Sequence, residues 1–353
     1  MRLRTLLAAL MVAAAPPALA SNGTTEALVQ AIGEGAFPGV TSVLIAKEGK
    51  ILEEYYFGDG GPDVLNNTRS VTKTLTGMAV GAAIYQGALE SEDEKVFQFF
   101  GDHAPHQHMS DAKRGITVRD LLTMSSALDC DDGDSQSAGY EDKMHETDNW
   151  TSFVLDLPEE ENYSRDADGL GPYRYCTAGV FLLGQVLSRA TGLGVDDFMA
   201  GALFRPLGID ALEWYRSPTG EEQTGDGLRL RSRDLWKLAE LARADGVWNG
   251  RRLWPKGWAE KSIKASRQVN ELRSYGYLWW LTDFKSGTTG KKYPAYFMSG
   301  NGGNKVIVVP SLKLVSVITA TNYNQPGMHD QTTNMFERYI LPAYERGVVH
   351  MGR

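Results

Sequence analysis

Segments with β-strand character occur at both ends of this 353-residue chain, and the long region between them shows helical periodicity instead. The β-rich segments are residues 41–46 and 51–57 near the N-terminus and residues 275–281, 293–298, 305–309 and 314–321 near the C-terminus. Strands from both ends can bury their apolar faces together in one sheet. The order therefore predicts an α/β (α+β) fold, with an antiparallel sheet flanked by helices and an all-α domain inserted between its two halves.

The strand order also sets the expected domain boundaries. We assign residues 21–89 and 262–353 to the sheet domain and residues 90–261 to a mainly helical inserted domain. Within the insertion, Thr117 and Asp120 have the spacing of a capping box that opens a helix over 118–124. Ser232 is expected to cap the helix that follows it.

The first twenty residues have the composition of a cleavable signal peptide. Arg2 and Arg4 precede an apolar run over 6–15, and Ala18-Leu19-Ala20 is a small-residue cleavage site. The apolar run is shorter than the ~20 residues that span a bilayer, and no later uncharged run reaches that length. We therefore predict cleavage near Ala20, a periplasmic or secreted location and no membrane span.

The charge balance excludes a nucleic-acid partner. The chain has 36 Lys and Arg residues against 44 Asp and Glu residues, a formal net charge of −8. Binding to phosphate backbones requires an excess of positive charge on the binding surface. The composition, 42% hydrophobic and 23% charged, is that of an ordinary globular protein.

The chain has two cysteines, Cys130 and Cys176. In an oxidising compartment such a pair is expected to form a disulfide, although free thiols are the alternative. Two cysteines with no suitably spaced histidine do not make a zinc site, and we expect no metal or cofactor.

The chemically most informative motif is Ser70-Val71-Thr72-Lys73, which opens an apolar helical pattern over 70–86. Residues three apart on a helix share a face, so the amine of Lys73 lies beside the hydroxyl of Ser70. A serine nucleophile needs such a base, and burial of the helix is expected to lower the lysine pKa so that the amine can accept a proton. The backbone N–H of Ser70 at a helix start suits an oxyanion.

The same spacing occurs at Ser110-Asp111-Ala112-Lys113, but there the surrounding segment is polar and would not bury the lysine. The structural alternative for either copy is a helix-capping serine with a surface lysine. The apolar context favours Ser70.

Three ordered motifs resemble the class C β-lactamase-related serine hydrolases, which include penicillin-binding DD-peptidases, esterases and hydrolases of oligomer amides. They are Thr68-Arg69-Ser70-Val71-Thr72-Lys73-Thr74, the run from Ile116 to Ser126, and Pro206-Leu207-Gly208. The resemblance extends from about Gly39 to Ala343. It implies a β-lactamase/DD-peptidase-like fold and an acyl-enzyme on Ser70.

The family's second motif, Tyr-x-Asn, is similar to Tyr175-Cys176-Thr177, which makes Tyr175 the candidate proton shuttle and Tyr173 the fallback. A tyrosine beside a cationic lysine can act as base in acylation and as acid toward the leaving group. Thr177 replaces the usual Asn, and a hydroxyl lacks the two-donor amide edge that grips a substrate amide. A disulfide at Cys176 is expected to brace this tyrosine.

The family's third motif, Lys/His-x-Gly, is replaced here by the glycine-rich segment 299–304. The resemblance implies that Gly303 allows close approach of a substrate carbonyl and that the N–H of Asn304 is the second oxyanion donor. Asn301 stands in place of the Lys or His, which removes a charge that could hold a substrate carboxylate. The alternative is a glycine-rich hairpin loop.

Several other clusters favour structural roles. The histidines at 103, 106 and 108 are expected to lie in a solvated loop, and the acidic residues at 129–134 to form turns or caps, because the register lacks the bidentate Glu of a calcium loop. Aromatic residues at 277, 279 and 280 either wall a cleft or belong to the core. No G-x-S-x-G elbow occurs.

Together these residues predict a serine hydrolase acting on a small ester, amide or peptide, with Ser70 as nucleophile and Lys73 and Tyr175 as proton shuttle. A β-lactamase or DD-peptidase is the enzymatic alternative, and the changes at Thr177 and Asn301 disfavour it. A non-catalytic binding protein that senses peptidoglycan or a peptide is the other alternative, and retention of Ser70 and Lys73 disfavours that.

Overall fold

The computed structural model of the chain describes residues 23–345, so the predicted signal peptide lies outside the described residues. The strands are β1 (Val40–Lys47), β2 (Lys50–Tyr56), β3 (Asn66–Asn67), β4 (Glu213–Trp214), β5 (Leu228–Leu230), β6 (Val247–Trp248), β7 (Arg251–Arg252), β8 (Arg267–Asn270), β9 (Arg273–Tyr275), β10 (Trp280–Lys285), β11 (Lys292–Gly300), β12 (Asn304–Val309) and β13 (Leu314–Ala320).

The α-helices are α1 (Gly23–Gly33), α2 (Val71–Tyr85), α3 (Asp111–Arg114), α4 (Val118–Leu122), α5 (Glu141–His145), α6 (Trp150–Leu155), α7 (Thr177–Thr191), α8 (Val195–Met199), α9 (Ser232–Arg243), α10 (Trp258–Ser262), α11 (Met328–Met335) and α12 (Leu341–Tyr344). Short 3₁₀ segments cover Val96–His103, Arg205–Leu207 and Pro310–Leu312, and π-helical turns cover Ala200–Phe204 and Phe336–Ile340.

The main sheet has eight strands in the order β2-β1-β13-β12-β11-β10-β9-β8, and the neighbouring strands are antiparallel. The two ends of the chain meet where β1 pairs with β13, with Leu44 opposite Val317. This pairing confirms the prediction of one antiparallel sheet assembled from both ends of the chain.

Alternation along β1 divides the core between the two faces of the sheet. Leu44 packs in the core shared with α2, and the adjacent Ile45 packs in the core shared with α1 and the C-terminal helices. Both side chains are fully buried. Since successive strand residues point to opposite faces, the sheet separates two helical layers.

Much of the inserted region packs around α7. Its residues from Thr177 to Leu187 are buried, and the helix contacts α2, α4, α6 and α8. The predicted capping box is confirmed, because the hydroxyl of Thr117 accepts from the N–H of Asp120 while the Asp120 carboxylate accepts from the N–H of Thr117. The predicted cap at Ser232 is wrong: α9 begins at Ser232 itself, whose hydroxyl hydrogen-bonds that of Ser42 at 2.6 Å.

The segment 275–281, predicted as a single strand, is broken in the structure. β9 ends at Tyr275 and β10 begins at Trp280. Between them Leu278 has φ +59° and donates its backbone N–H to the carbonyl of Leu122 at 2.9 Å. A left-handed residue cannot continue a strand, so the chain turns here to contact the helical region.

Within residues 23–345, no helix taken alone has the length and apolar composition to span a membrane. The helices Thr177–Thr191 and Val195–Leu207, bent by 76° relative to each other, meet that test only as a pair.

Candidate active site

Helix α2 brings Ser70 and Lys73 together. Ser70 precedes the helix at its N-cap position, and residues 71–83 are buried, as the apolar pattern predicted. The amine of Lys73, which is 1% exposed, donates to the hydroxyl oxygen of Ser70 at 3.0 Å and to the carbonyl of Gly225 at 3.0 Å. The serine is thus partly exposed at the mouth of a pocket whose floor holds the amine.

Two backbone features hold Ser70 in place. Arg69 has φ +52°, a left-handed conformation that costs a non-glycine residue of order 1 kcal/mol or more. Its guanidinium contacts the Asp226 carboxylate at 3.4 Å. On the other side Gly300 approaches so closely that a Cβ there would lie 1.8 Å from the carbonyl oxygen of Thr68 and 3.2 Å from the backbone N of Ser70. Only glycine fits between these backbones.

Tyr175 faces this pair. The Lys73 amine lies 5.0 Å from the centroid of the Tyr175 ring, and the phenol interacts with the Ser70 hydroxyl. Burial raises the pKa of Tyr175, and Lys73 and Ser70 act in the opposite direction. The fallback Tyr173 also lines the cleft, but its buried hydroxyl has no hydrogen-bond partner, and burial raises its pKa.

The predicted disulfide is present. Cys130 and Cys176 are bonded; they are 46 positions apart in sequence, with a Cα–Cα distance of 5.3 Å. The bridge joins the segment before Asp132 to the segment that carries Tyr175. The same two segments are linked by the backbone N–H of Asp132, which donates to the carbonyl of Tyr175 at 2.8 Å.

Three carboxylates lie near enough to the Lys73 amine for their charges to act on it, and the sequence patterns did not reveal them as a group. They belong to Asp132, Glu141 and Asp226. Burial acts to lower the pKa of Lys73, but Tyr175 and these carboxylates more than compensate, so the net shift is upward. This direction is opposite to the one expected from burial alone, and it favours the ammonium form of Lys73, whose amine donates to Ser70.

Burial raises the pKa of two of these carboxyl groups. Burial raises the pKa of Glu141 to about 7, with Asp226 and Asp132 adding to the rise and Lys73 opposing it. Burial likewise raises the pKa of Asp132, although its oxygens accept from the backbone N–H groups of Thr177 at 2.8 Å and Glu141 at 3.2 Å. The three carboxylates of Asp132, Glu141 and Asp226 thus outnumber the two nearby cations, Lys73 and Arg69.

The glycine-rich segment reaches the cleft through its first residues and not its last. Ser299, Gly300 and Asn301 line the cleft. Asn304 is 1% exposed, and its side chain donates to the carbonyls of Asn301 and Ala320. Gly303 is buried against the backbone of Met328. The sequence analysis placed Asn304 and Gly303 beside the serine. In the structure the chain turns away after Asn301, so neither residue lines the cleft.

Thr177 also lies outside the cleft. It is fully buried at the start of α7, and its hydroxyl has no hydrogen-bond partner within the described residues. The residue contributes its backbone N–H to Asp132 instead. It is not placed to contact a substrate.

The cleft above Ser70 has a volume of about 470 Å³. Its lining residues are Ser70, Asp131, Asp132, Gly133, Tyr173, Tyr175, Trp280, Ser299, Gly300, Asn301, Met328 and His329. Of the aromatic residues with two proposed roles, Tyr277 and Trp279 are buried in the core and Trp280 walls the cleft.

The second serine–lysine pair does not form a site. Ser110 accepts from the backbone N–H of Lys113 and so caps α3. The expectation that Lys113 would not be buried is wrong: the side chain is fully buried, and its amine donates to the carbonyls of Gln107, Leu155 and Leu157.

The acidic loop forms turns, as expected. Asp129, Asp131 and Asp134 accept hydrogen bonds from nearby backbone or hydroxyl groups of the same loop. The histidine-containing loop packs locally, with His103 against Arg189 and His106 against Phe97.

One group of side chains has the spacing of metal ligands. Oxygen or nitrogen atoms of Glu141, His145 and Asp226 lie within 4.8 Å of one another. Arg69 contacts Asp226, and Lys73 is the group that most strongly favours ionisation of Glu141. Arg69 and Lys73 therefore supply positive charge to the carboxylates of this group.

Comparison with known proteins agrees with this architecture. The sequence model of the beta-lactamase family matches residues 25–340. A 6-aminohexanoate-dimer hydrolase from Paenarthrobacter ureafaciens is 24% identical over 261 residues, which cover 69% of this chain and 64% of that protein, so the alignment spans somewhat less than two thirds of that relative.

Two solved structures share the fold. EstCE1, a hydrolase with promiscuous acyltransferase activity, superposes with a TM-score of 0.69 at 17% identity, covering 88% of this chain and 97% of that one. A class C beta lactamase from Rhodobacter sphaeroides gives a TM-score of 0.63 at 16% identity, covering 91% of this chain and 100% of that one.

Proposed function

Because this chain belongs to the beta-lactamase family, whose members are serine hydrolases, we propose that Ser70 attacks an ester or amide carbonyl and carries the acyl group as a covalent intermediate. Water then releases the acyl group as the acid. Tyr175, assisted by the amine of Lys73, moves the proton in both steps.

The observation that carries this proposal is the contact of Ser70 and Lys73, which lie one helical turn apart, with Tyr175 from a distant segment. The Lys73 amine is 3.0 Å from the Ser70 oxygen, and the Tyr175 ring lies over that amine at 5.0 Å. A serine nucleophile needs a neighbouring group that accepts its proton and a second group that orients it. Lys73 and Tyr175 supply both.

The charge on Lys73 decides how the proton moves. Because Tyr175 and the nearby carboxylates raise the pKa of Lys73 and favour its ammonium form, the amine orients the Ser70 oxygen and stabilises negative charge on the phenol of Tyr175. Tyr175 then accepts the serine proton in acylation and returns it to the leaving group. The reactive form has lost one proton from the Lys–Tyr pair, so activity is expected to increase from neutral toward alkaline pH.

The oxyanion is stabilised by two backbone N–H groups in this proposal. One belongs to Ser70, at the start of α2, where the helix dipole contributes partial positive charge. The other belongs to Asn301, the residue after the glycine that contacts the Ser70 backbone. This assignment replaces the Asn304 donor expected from sequence.

The substrate is a small ester or amide. The cleft is large enough for a small organic molecule, and the proposal is supported by a relative named 6-aminohexanoate-dimer hydrolase and by the structural neighbour EstCE1, a hydrolase with promiscuous acyltransferase activity. No step of the proposal uses a metal or cofactor. The N-terminal sequence and the disulfide support export of the enzyme to the periplasm or the medium.

The test is covalent labelling followed by peptide mass analysis. A fluorophosphonate is expected to add to the Ser70 peptide, and Ser70→Ala should abolish the adduct while the melting temperature changes by only a few degrees. Labelled penicillin in parallel shows whether β-lactams acylate the same serine. No adduct from either reagent on folded protein would refute the proposal and favour a non-catalytic binding protein.

The two cleft tyrosines provide a matched pair. Tyr175→Phe should lower kcat by about 10²- to 10⁴-fold, the range for loss of a general acid–base group. Tyr173→Phe removes a hydroxyl that has no partner and should leave kcat within a few-fold. The opposite ranking would assign the proton transfer to Tyr173.

A further inference from the structure

Three side chains near Lys73 bring metal-ligating atoms close together. An oxygen of Glu141, a ring nitrogen of His145 and an oxygen of Asp226 lie within 4.8 Å of one another. Glu141 and His145 are four residues apart on α5, so they share one face of that helix. Asp226 belongs to the segment just before β5. The fold therefore assembles this group from two separate parts of the chain.

Two carboxylate oxygens of the group have no hydrogen-bond partner within residues 23–345. They are Oε1 of Glu141 and Oδ1 of Asp226, and both atoms are shielded from solvent. Oε1 faces the imidazole, at 4.0 Å from Nε2 of His145. The other oxygen of Asp226 contacts Arg69 at 3.4 Å, so Oδ1 is the oxygen left for a ligand. Asp226 is 4% exposed, and a buried carboxylate oxygen without a partner is costly.

The amine of Lys73 does not serve these two oxygens. It donates to Ser70 and to the carbonyl of Gly225, both at 3.0 Å. Among the described residues, no hydrogen bond joins it to the orphaned oxygen of Glu141 or of Asp226. Its charge acts on both carboxylates without direct contact. An ion held between the two oxygens would contact both.

The imidazole presents a lone pair. The side-chain amide of Gln223 lies 3.3 Å from Nε2 of His145, and because an amide nitrogen only donates, Nε2 is the acceptor and the ring proton resides on Nδ1. A metal ion at Nε2 would replace this hydrogen bond. The ring is held by Trp150, at a centroid distance of 4.8 Å, and the turn before Asp226 is held by the N–H of Gly225, which donates to the Gln223 side chain at 2.9 Å.

The donor set suits zinc. Zn²⁺ binds imidazole nitrogen and carboxylate oxygen at about 2.0–2.2 Å in tetrahedral geometry, which places neighbouring donors about 3.3–3.5 Å apart. Glu141 and His145 must therefore approach each other by only about 0.5–0.7 Å from their present 4.0 Å. Their side chains are 24% and 25% exposed, which allows that movement and gives the ion a path from solvent. Ca²⁺ and Mg²⁺ require more ligands, mainly oxygens.

We propose that Glu141, His145 and Asp226 bind one Zn²⁺ ion, with water as the remaining ligand, and that the ion links α5 to the segment before β5. The ion lies outside the proposed acyl transfer and takes no part in it. Its charge offsets a group of carboxylates that outnumbers the nearby Lys73 and Arg69. The inference does not depend on the proposed hydrolase function.

The experiment measures Zn²⁺ binding by the untagged protein after its metals have been removed with a chelator. Dialysis against micromolar Zn²⁺ in the presence of millimolar Ca²⁺ and Mg²⁺, followed by elemental analysis, is expected to give one Zn²⁺ per chain. Co²⁺ in place of Zn²⁺ should give the visible absorption of a four-coordinate ion. Zn²⁺ at 100 times its Kd should raise the melting temperature by about 4 °C relative to the metal-free protein.

Two variants each remove one ligand. Glu141→Gln and His145→Gln should each weaken Zn²⁺ binding by at least about 10-fold, since the loss of residues that merely support metal ligands already costs that much. Asp142→Asn makes the same charge change at an exposed position of the same helix and should leave the affinity unchanged. His108→Gln removes an exposed histidine outside the group and should also leave it unchanged. If one ligand variant does not fold, the other decides.

A dialysed protein without Zn²⁺ would refute the site and leave a shared proton or a water molecule as the partner of the two oxygens. Unchanged affinity in both ligand variants, or loss of binding in His108→Gln, would also refute it, because the ion would then be bound elsewhere on the surface. Preferential binding of Ca²⁺ or Mg²⁺ would refute the argument from the donor set. Labelling of Ser70 by the fluorophosphonate tests the hydrolase function separately.

Discussion

Removal of the disulfide should damage the active site more than the fold. We consider the double variant Cys130→Ser/Cys176→Ser. In the wild type, the backbone N–H of Gly179 donates a hydrogen bond to the sulfur of Cys176 at 3.0 Å. The hydroxyl oxygen of a serine at 176 can accept the same hydrogen bond, so the N-terminal cap of α7 is retained. The variant therefore isolates the covalent link.

The expected loss of stability follows from the size of the loop. With the two cysteines 46 positions apart in sequence, the chain-entropy relation gives a loss of about 4 kcal/mol in the free energy of unfolding. For a chain of this length that loss corresponds to a decrease of about 6 °C in melting temperature. The protein should therefore remain folded at 25 °C.

The expected loss of activity is larger than this stability change alone would produce. Without the bridge, Tyr175 and Asp132 are held together by the 2.8 Å backbone hydrogen bond and by the contact of Asp132 with Thr177. Greater mobility of the phenol should lower kcat/KM for a 4-nitrophenyl ester by about 10-fold or more at 25 °C, since small displacements of reacting groups are costly.

A matched control separates the two effects. Leu28→Ala, in α1 on the opposite face of the sheet, removes a side chain that is 1% exposed and should cost a similar 2–5 kcal/mol. Its kcat/KM at 25 °C should match the wild type. If the double serine variant melts about 6 °C lower yet keeps full kcat/KM, the bridge does not position Tyr175 and the reasoning is refuted.

Two further substitutions test the geometry around Ser70. Gly300→Ala would place a Cβ 1.8 Å from the carbonyl oxygen of Thr68, so β11 must move away from Ser70, and kcat should fall about 10²-fold or more; an active variant in the ester assay would contradict the proposed oxyanion site. Glu141→Gln removes a charge that favours the ammonium form of Lys73, so the acidic limb of the kcat/KM profile should move to lower pH. Because folding raises the pKa of Glu141 from 4.5 to about 7, its ionisation reduces the stability of the fold as pH rises from 4.5 to about 7, and Glu141→Gln should increase the melting temperature more at pH 8 than at pH 5.

Local patterns in the sequence were sufficient to predict much of the fold. Apolar periodicity located α2 and the burial of Lys73, and the capping box located the start of α4. These features depend on residues close together in the chain, where spacing and side-chain type determine the structure. The pairing of β1 with β13 followed from the need to bury strands at both ends of the chain.

The sequence did not predict the electrostatics of the site. Asp132, Glu141 and Asp226 come from separate segments and meet only in the folded chain, so no local pattern indicated that they would reverse the pKa shift of Lys73. Each is unremarkable in its own segment. The group appears only when α5, the disulfide-linked loop and the segment before β5 pack around one amine.

The prediction that Asn304 supplies the second oxyanion donor missed the cleft for a different reason. Each glycine in segment 299–304 could allow the backbone to approach the serine closely, and the composition does not show which glycine does so. The structure assigns the contact to Gly300, because the turn at Gly302 and Gly303 carries Asn304 back into the sheet. Prediction of that register requires the partner strand.

The close approach of Gly300 to Thr68 and Ser70 has a consequence for biosynthesis. The nucleophile emerges early from the ribosome, and the strand that completes its pocket is among the last to be made. A nascent or C-terminally truncated chain can form α2 with its serine and lysine, but it lacks the wall that holds an acyl group. The pocket around Ser70 is therefore expected to be complete only after the strand that carries Gly300 has been synthesised and has paired.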